Sequence, residues 1–162
     1  QESKYYFTGH RKCQICLDLK ESQRLKGICP KCGRKLTMGV MQRISQLADR
    51  KENEGPEKRI PFQSLIPLEE IIAEGLGIGV ATKGVAEEYK SLVQRFGSEI
   101  NILLNLETET IQQGCLPEVG KAFKKAKAGQ VKIDPGYDGE YGKISLFNQE
   151  ERNDLSLQSA LF

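Results

Sequence analysis

The 162 residues hold 24 Lys and Arg against 22 Asp and Glu, a net of +2, with 38% hydrophobic and 7% aromatic residues. A chain of this length buries one good core, or a small metal module plus one compact domain. No apolar run approaches the ~18 residues of a membrane span and no signal pattern opens the chain, so no membrane span and no membrane partner are expected, and a cytoplasmic protein is.

The small net charge conceals an asymmetry. Residues 1–50 contain eleven Lys/Arg and four Asp/Glu, a net of +7, and the remainder is net −5. A cationic block of this kind favours a polyanion, nucleic acid being the commonest, with a solvated surface as the plain alternative. The chain opens on Gln1 and is expected to be a piece of something longer.

In chain order, Lys4-Tyr5-Tyr6-Phe7 reads as a short strand with Gly9 as its turn. Two Cys-x-x-Cys pairs follow, Cys13/Cys16 and Cys29/Cys32, with twelve residues between them. Each pair can turn both sulfurs toward one point, and two pairs make the tetrahedral cage of a structural zinc. Pro30 stiffens the second loop, and Gly33 lets the chain turn away while backbone N–H groups face the sulfurs. Iron would take the same four ligands. A redox dithiol would need one pair opening a helix after a strand, which Arg11-Lys12 before Cys13 does not resemble. A closed four-thiolate set has no position for water, so its metal is expected to hold a fold and not to catalyse. Cys115 is left over, an inert thiol suited to a reducing cytosol.

A helical turn is expected over residues 21–25, a returning strand over 35–40 and a helix over 41–49. The module therefore occupies residues 1–50. Residues 51–59 are charged, with Gly55-Pro56, and read as a linker. Residues 60–147 read as a mainly helical domain ending in a β-hairpin, and 148–162 as a flexible tail. Pro67 starts one helix, with Leu68, Ile71, Ile72 and Leu76 as its stripe. A second runs from near Thr82 to Gly97 with Val85, Tyr89, Leu92, Val93 and Phe96 inward. The Gly77-Ile78-Gly79 turn between them resembles a helix-hairpin-helix, in which backbone N–H groups meet a phosphate with Lys83 nearby; close packing of two helices is the alternative.

Residues 100–106 leave strand and buried helix undecided. Thr108–Gln113 and Pro117–Ala128 read as short helices, and 131–147 as the hairpin around Pro135-Gly136-Tyr137-Asp138-Gly139. Tyr137 and Tyr141 near its tip are candidates to stack on bases, or to cover a small core. The fold class is thus α+β.

His10 is the sole histidine and is a phosphate or base contact, or a surface residue. No nucleophile set, paired catalytic carboxylates or Walker-type loop can be assembled, so no catalytic residue is assigned.

Several strings in order resemble one family. Gly9-His10-Arg11-Lys12-Cys13, Ile28-Cys29-Pro30-Lys31-Cys32-Gly33, Leu47-Ala48-Asp49-Arg50, Pro61 to Leu68, Phe96-Gly97-Ser98-Glu99 and Pro135 to Gly139 are similar to the C-terminal part of endonuclease Q and its PHP-domain, often helicase-like labelled, relatives. The similarity covers residues 4–147. It implies a DNA-repair endonuclease nicking 5′ of deaminated bases such as uracil and hypoxanthine, with catalytic metals held by an N-terminal PHP domain absent here. The cysteine module would then grip DNA and present an extruded base. In that context Gln158-Ser159-Ala160-Leu161-Phe162 resembles the peptide by which repair proteins dock on the sliding clamp, through Gln158, Leu161 and Phe162, with Ser159 departing from the usual Leu.

The sequence therefore leads to a zinc-stabilised DNA-binding region of a lesion-specific endonuclease. Its DNA contacts are expected from His10, Arg11, Lys12, Lys31, Arg34, Lys35, Gly77, Gly79, Lys83, Tyr137 and Tyr141. The alternative is a zinc-ribbon module that recruits protein partners and touches no nucleic acid.

Overall fold

The computed structural model describes residues 2–50, 54–55 and 60–153. The chain divides into two units, Gln1–Pro61 with Ile133–Ile144, and Phe62–Lys132 with Ser145–Phe162. The linker expected over 51–59 lies mostly, and the tail from 154 entirely, outside the described residues.

The first unit is built on an antiparallel ribbon of β1 (Thr8–His10) and β2 (Ile15–Leu17), in register Thr8 opposite Leu17, Gly9 opposite Cys16 and His10 opposite Ile15. A 3-10 turn over Arg11–Cys13 joins the strands, with Gln14 in the left-handed region at φ 53°. The strand expected at residues 4–7 begins instead at Thr8. Its backbone is spoken for elsewhere: Val40 N–H donates to Tyr5 O, Met41 N–H to Tyr6 O, and Phe7 N–H to Gly136 O. Helix α1 (Leu19–Arg24) starts where the Asp18 carboxylate accepts the Glu21 N–H at 2.8 Å, an N-cap that satisfies one orphan donor. The return strand expected over 35–40 is reduced to single bridges, Ile28 with Lys35 and Gly9 with Thr37. Helix α2 (Val40–Leu47) follows, and the Gly39 N–H before it donates to the buried Thr8 hydroxyl.

Helices of the second unit are α3 (Leu68–Leu76), α4 (Lys83–Phe96), α5 (Glu99–Leu104), α6 (Thr108–Gln112) and α7 (Pro117–Lys127). Their apolar stripes meet in one core of Leu68, Ile71, Ile72, Val85, Leu92, Ile102, Ile111, Val119, Ala122 and Phe123, completed by Leu146 and Phe147. The undecided stretch 100–106 is helical over α5, because Ser98 caps it through Asn101 N–H. Pro67 is the residue before α3, not its first, and Leu68 N–H finds the Glu99 carboxylate at 2.9 Å. The other oxygen of Glu99 accepts from Tyr89 Oη, tying three helices to one acid. A Cβ on Gly75 would come within 2.8 Å of Val119 Cα, so α3 and α7 approach at a distance only glycine allows. Near the last described residues, Glu74 holds Leu146 N–H and Arg152, and Lys125 holds Glu151.

The expected hairpin forms, as β3 (Lys132–Asp134) beside β4 (Lys143–Ser145). Its turn does not close the helical domain but belongs to the first unit. Gly139 N–H donates to Lys4 O and Gly142 N–H to Glu2 O, each at 3.0 Å. The architecture is α+β, as the sequence reads. No helix of the described residues is long and apolar enough to cross a membrane.

Candidate functional site

Four ligand atoms converge in the first unit, from His10, Cys13, Cys29 and Cys32, all within 4.8 Å of one another. Cys29 is buried and Cys32 exposed, with His10 and Cys13 between these extremes. His10 Nδ1 lies 3.3 Å from Cys32 Sγ. Around a tetrahedral zinc an N···S edge is about 3.6 Å and an S···S edge about 3.8 Å, as follows from Zn–S and Zn–N bonds of about 2.3 and 2.05 Å. The cluster fits that cage, and one histidine with three cysteines is a structural zinc set. A zinc held there would have four protein donors and no coordination position left for a substrate.

Two loops of like geometry supply these donors. In the second, Gly33 N–H donates to Cys29 O at 2.9 Å, Cys29 N–H to Arg34 O at 2.8 Å, and Gly33 takes φ 69°. In the first, Gln14 N–H donates to Arg11 O at 2.9 Å and Gln14 takes φ 53°. Each loop thus presents a ligand, two spacers, a second ligand and a left-handed residue. Burial pushes the Cys29 thiol up, but hydrogen bonds from His10 and from the N–H groups of Lys31 and Cys32 more than offset it and bring it down to about 6. Cys13 goes the other way, to about 11, chiefly through its hydrogen bond with Cys32, then burial and the neighbouring thiolates.

Cys16, expected as the fourth ligand, is not in this cluster; His10 takes the place. The reason is strand alternation. Cys16 stands opposite Gly9, one residue out of step with the His10–Ile15 pair, so its side chain leaves from the other face of the ribbon. On that face Tyr137 covers Gly9, whose missing side chain makes room for the ring. The Cys16 thiol is raised by burial and then by the charge of Glu21. The identical spacing of His10-x-x-Cys13 and Cys29-x-x-Cys32 was the available signal for His10.

Asp138 fastens the metal loop from the far end of the chain. One carboxylate oxygen accepts Arg11 N–H at 2.6 Å and the other accepts Thr37 Oγ1. Burial raises this carboxyl, and the bonds from Thr37 and Arg11 overcome the rise, so it titrates below its ordinary value.

Arg11, Lys12, Lys31, Arg34 and Lys35 are all exposed around the cluster. Arg11 meets Glu140 at 3.6 Å, with both side chains more than half exposed. A cleft of about 420 Å³ in the same unit is lined by Gln23, Lys26, Lys35, Gln42 and Gln46 among others, and Gln42 Oε1 is buried without a hydrogen-bond partner. In the second unit, Gly77 takes φ 66° and a Cβ there would meet nothing within 4 Å. Gly77, Gly79 and Lys83 are exposed, and Lys83 pairs with Glu87 along α4. Tyr137 packs on Gly9, whereas Tyr141 is 70% exposed. Gln158, Leu161 and Phe162 lie outside the described residues.

Residues 67–130 match the family model of the MJ0043 C-terminal domain. The chain is 35% identical over 147 residues to the uncharacterized protein MJ0043 of Methanocaldococcus jannaschii, covering 91% of this chain and 18% of that one. It is 30% identical over 142 residues to the uncharacterized protein YqxK of Bacillus subtilis, covering 87% and 32%. Among solved structures it is similar to the lesion-specific endonuclease PfuEndoQ of Pyrococcus furiosus, with a TM-score of 0.75 and 34% identity over 94% of this chain and 39% of that one. A structure of endonuclease Q with a 27-mer duplex substrate carrying an abasic lesion at the active site gives a TM-score of 0.74 and 36% identity, over 91% and 36%. The chain therefore spans less than two fifths of each of these proteins, and the resemblance to endonuclease Q written in its ordered strings extends to its three-dimensional structure.

Proposed function

We propose that this chain is the zinc-stabilised DNA-gripping region of a repair endonuclease acting on deaminated bases such as uracil and hypoxanthine. The observation that carries the reading is the His10–Cys13–Cys29–Cys32 cluster, a closed donor set ringed by exposed cations, in a chain that resembles endonuclease Q over nearly its whole length. Zinc would cross-link the two loops. Arg11, Lys12, Lys31, Arg34 and Lys35 would bind phosphates, an electrostatic contact that weakens steeply with salt. The Gly77 and Ile78 N–H groups donate to Ala73 O, so the Gly79 N–H with Lys83 would hold a further phosphate. Catalysis would come from a PHP-type domain outside these residues.

The amide-lined cleft supports the extruded-base part of the reading. Its volume of about 420 Å³ would admit a nucleobase, with Ile28, Leu36 and Met38 as apolar walls and Gln23 and Gln46 as polar partners. Docking of Gln158, Leu161 and Phe162 on a sliding clamp is proposed from the tail sequence.

The test is a titration against uracil-containing duplex at two salt concentrations. Affinity should fall at the higher salt, and a double charge-removing variant of Arg11 and Lys31 should flatten that slope by about two. Folded, metal-loaded protein that fails to bind duplex at low salt would favour the protein-recruiting module instead.

A further inference from the structure

We infer that Tyr141 and Tyr5, with Lys4 and Arg11 beside them, form a stacking seat for an unpaired nucleobase; the inference rests on the DNA-binding reading above. The argument begins with exposure. A tyrosine kept for packing buries its ring and leaves its hydroxyl wet. Tyr137 does this against Gly9. Tyr141 and Tyr5 do not, for they are 70% and 49% exposed.

The two rings are nevertheless held by the backbone around one turn. Gly139 N–H donates to Lys4 O and Gly142 N–H to Glu2 O, so residues 2–5 run alongside residues 139–142. Lys4 Nζ sits 4.6 Å from the Tyr141 ring centroid. Tyr5 Oη and Arg11 Nη1 each lie 3.9 Å from the point a Gly139 Cβ would occupy. Lys4 thus covers one face of the Tyr141 ring, and two exposed rings and two cations gather around one turn.

That combination selects its occupant. A base in a duplex already has both faces stacked, whereas an unpaired base offers one to an aromatic ring, and its phosphates need a cation within reach. Lys4 and Arg11 supply it. Arg11 is free to exchange partners, since its contact with Glu140 is between two well-exposed groups and holds it weakly. The seat reads no sequence, because every base has a π face. It would engage the strand where pairing is interrupted.

Fluorescence anisotropy with a labelled oligothymidine and with a fully paired duplex tests this on the intact, metal-loaded chain. Tyr141→Ala should weaken oligothymidine binding roughly tenfold, and Tyr141→Phe should restore it to within about twofold, because stacking needs the ring and not the hydroxyl. Duplex affinity should change by less than about twofold in either variant. Tyr141→Ala and Tyr5→Ala proteins that keep wild-type metal content and bind oligothymidine like the parent overturn the inference, as does an equal loss on both ligands. A parent chain that binds neither nucleic acid overturns the DNA-binding reading itself, and this inference with it.

Discussion

The helical unit folds around Phe123, Leu68, Ile71, Ile72, Leu92, Ile102 and Ile111, whereas the metal unit has, among its described residues, Leu17 and Cys29 as its buried hydrophobic side chains. Its other buried side chains are the polar Thr8 and Ser22. Both are parts of one chain of ordinary composition, yet they are stabilised by different means. Helices α3 to α7 gain from removing apolar area from water, a non-directional term spread over many residues. The metal unit gains from directional links: a four-donor cluster, the Asp138 bridge and backbone bonds to the hairpin turn. A few of those links carry what a dozen side chains share elsewhere, so the metal unit should fail abruptly and the helical unit by degrees.

Removing the metal should separate the two most. A strong chelator, or Cys32→Ser, is expected to abolish the protection of backbone amides in residues 5–48 while those of α3, α4 and α7 stay protected, read by hydrogen exchange. Structural zinc is worth on the order of 10 kcal/mol in small metal modules. Equal loss in both units would erase the distinction. Phe123→Ala should do the converse, costing about 3–5 kcal/mol in the helical unit and leaving the metal content at one per chain by elemental analysis.

A finer test asks which residue is the fourth ligand. His10→Ala should lower metal affinity by orders of magnitude in a competition titration, whereas Cys16→Ser should leave it within a few-fold; the reverse ranking would restore the two Cys-x-x-Cys pairs. The smallest effect concerns Asp138. Its folded-state carboxyl titrates below the ordinary 3.8, so its contribution is present above that value and lost as pH falls through the lower folded value. Asp138→Asn should remove this acid-side dependence, seen as a flatter stability profile below about pH 4, the ordinary Asp range.

Long periodic segments were the most legible part of the molecule. Helices α3 and α4 lie where the stripes of Leu68 and Val85 put them, α4 ends before Gly97 and α7 starts at Pro117. Local pattern could not say that residues 5–7 would be bonded to residues 40, 41 and 136, nor that the hairpin turn would leave the helices it follows. Both depend on pairings between distant segments, which periodicity does not encode. At the cysteine cluster three of the expected ligands, Cys13, Cys29 and Cys32, come together in the structure. His10, expected as a DNA contact, joins them where Cys16 was expected, because duplicated Cys-x-x-Cys pairs are read by residue type, whereas the fold places side chains by strand register. Cys16 has the right element and the wrong face.

The Asp138 bridge also sets a timetable. Arg11 and Asp138 are 127 residues apart, and all of α3 to α7 is encoded between them. On a ribosome the cysteine loops emerge before those helices, yet the carboxylate that pins the first loop arrives only after α3 to α7 have been synthesised. The first unit is therefore closed only once those helices exist. Until then Arg11 N–H and Thr37 Oγ1 lack this acceptor, so the first cysteine loop stays unpinned through the synthesis of a whole helical core.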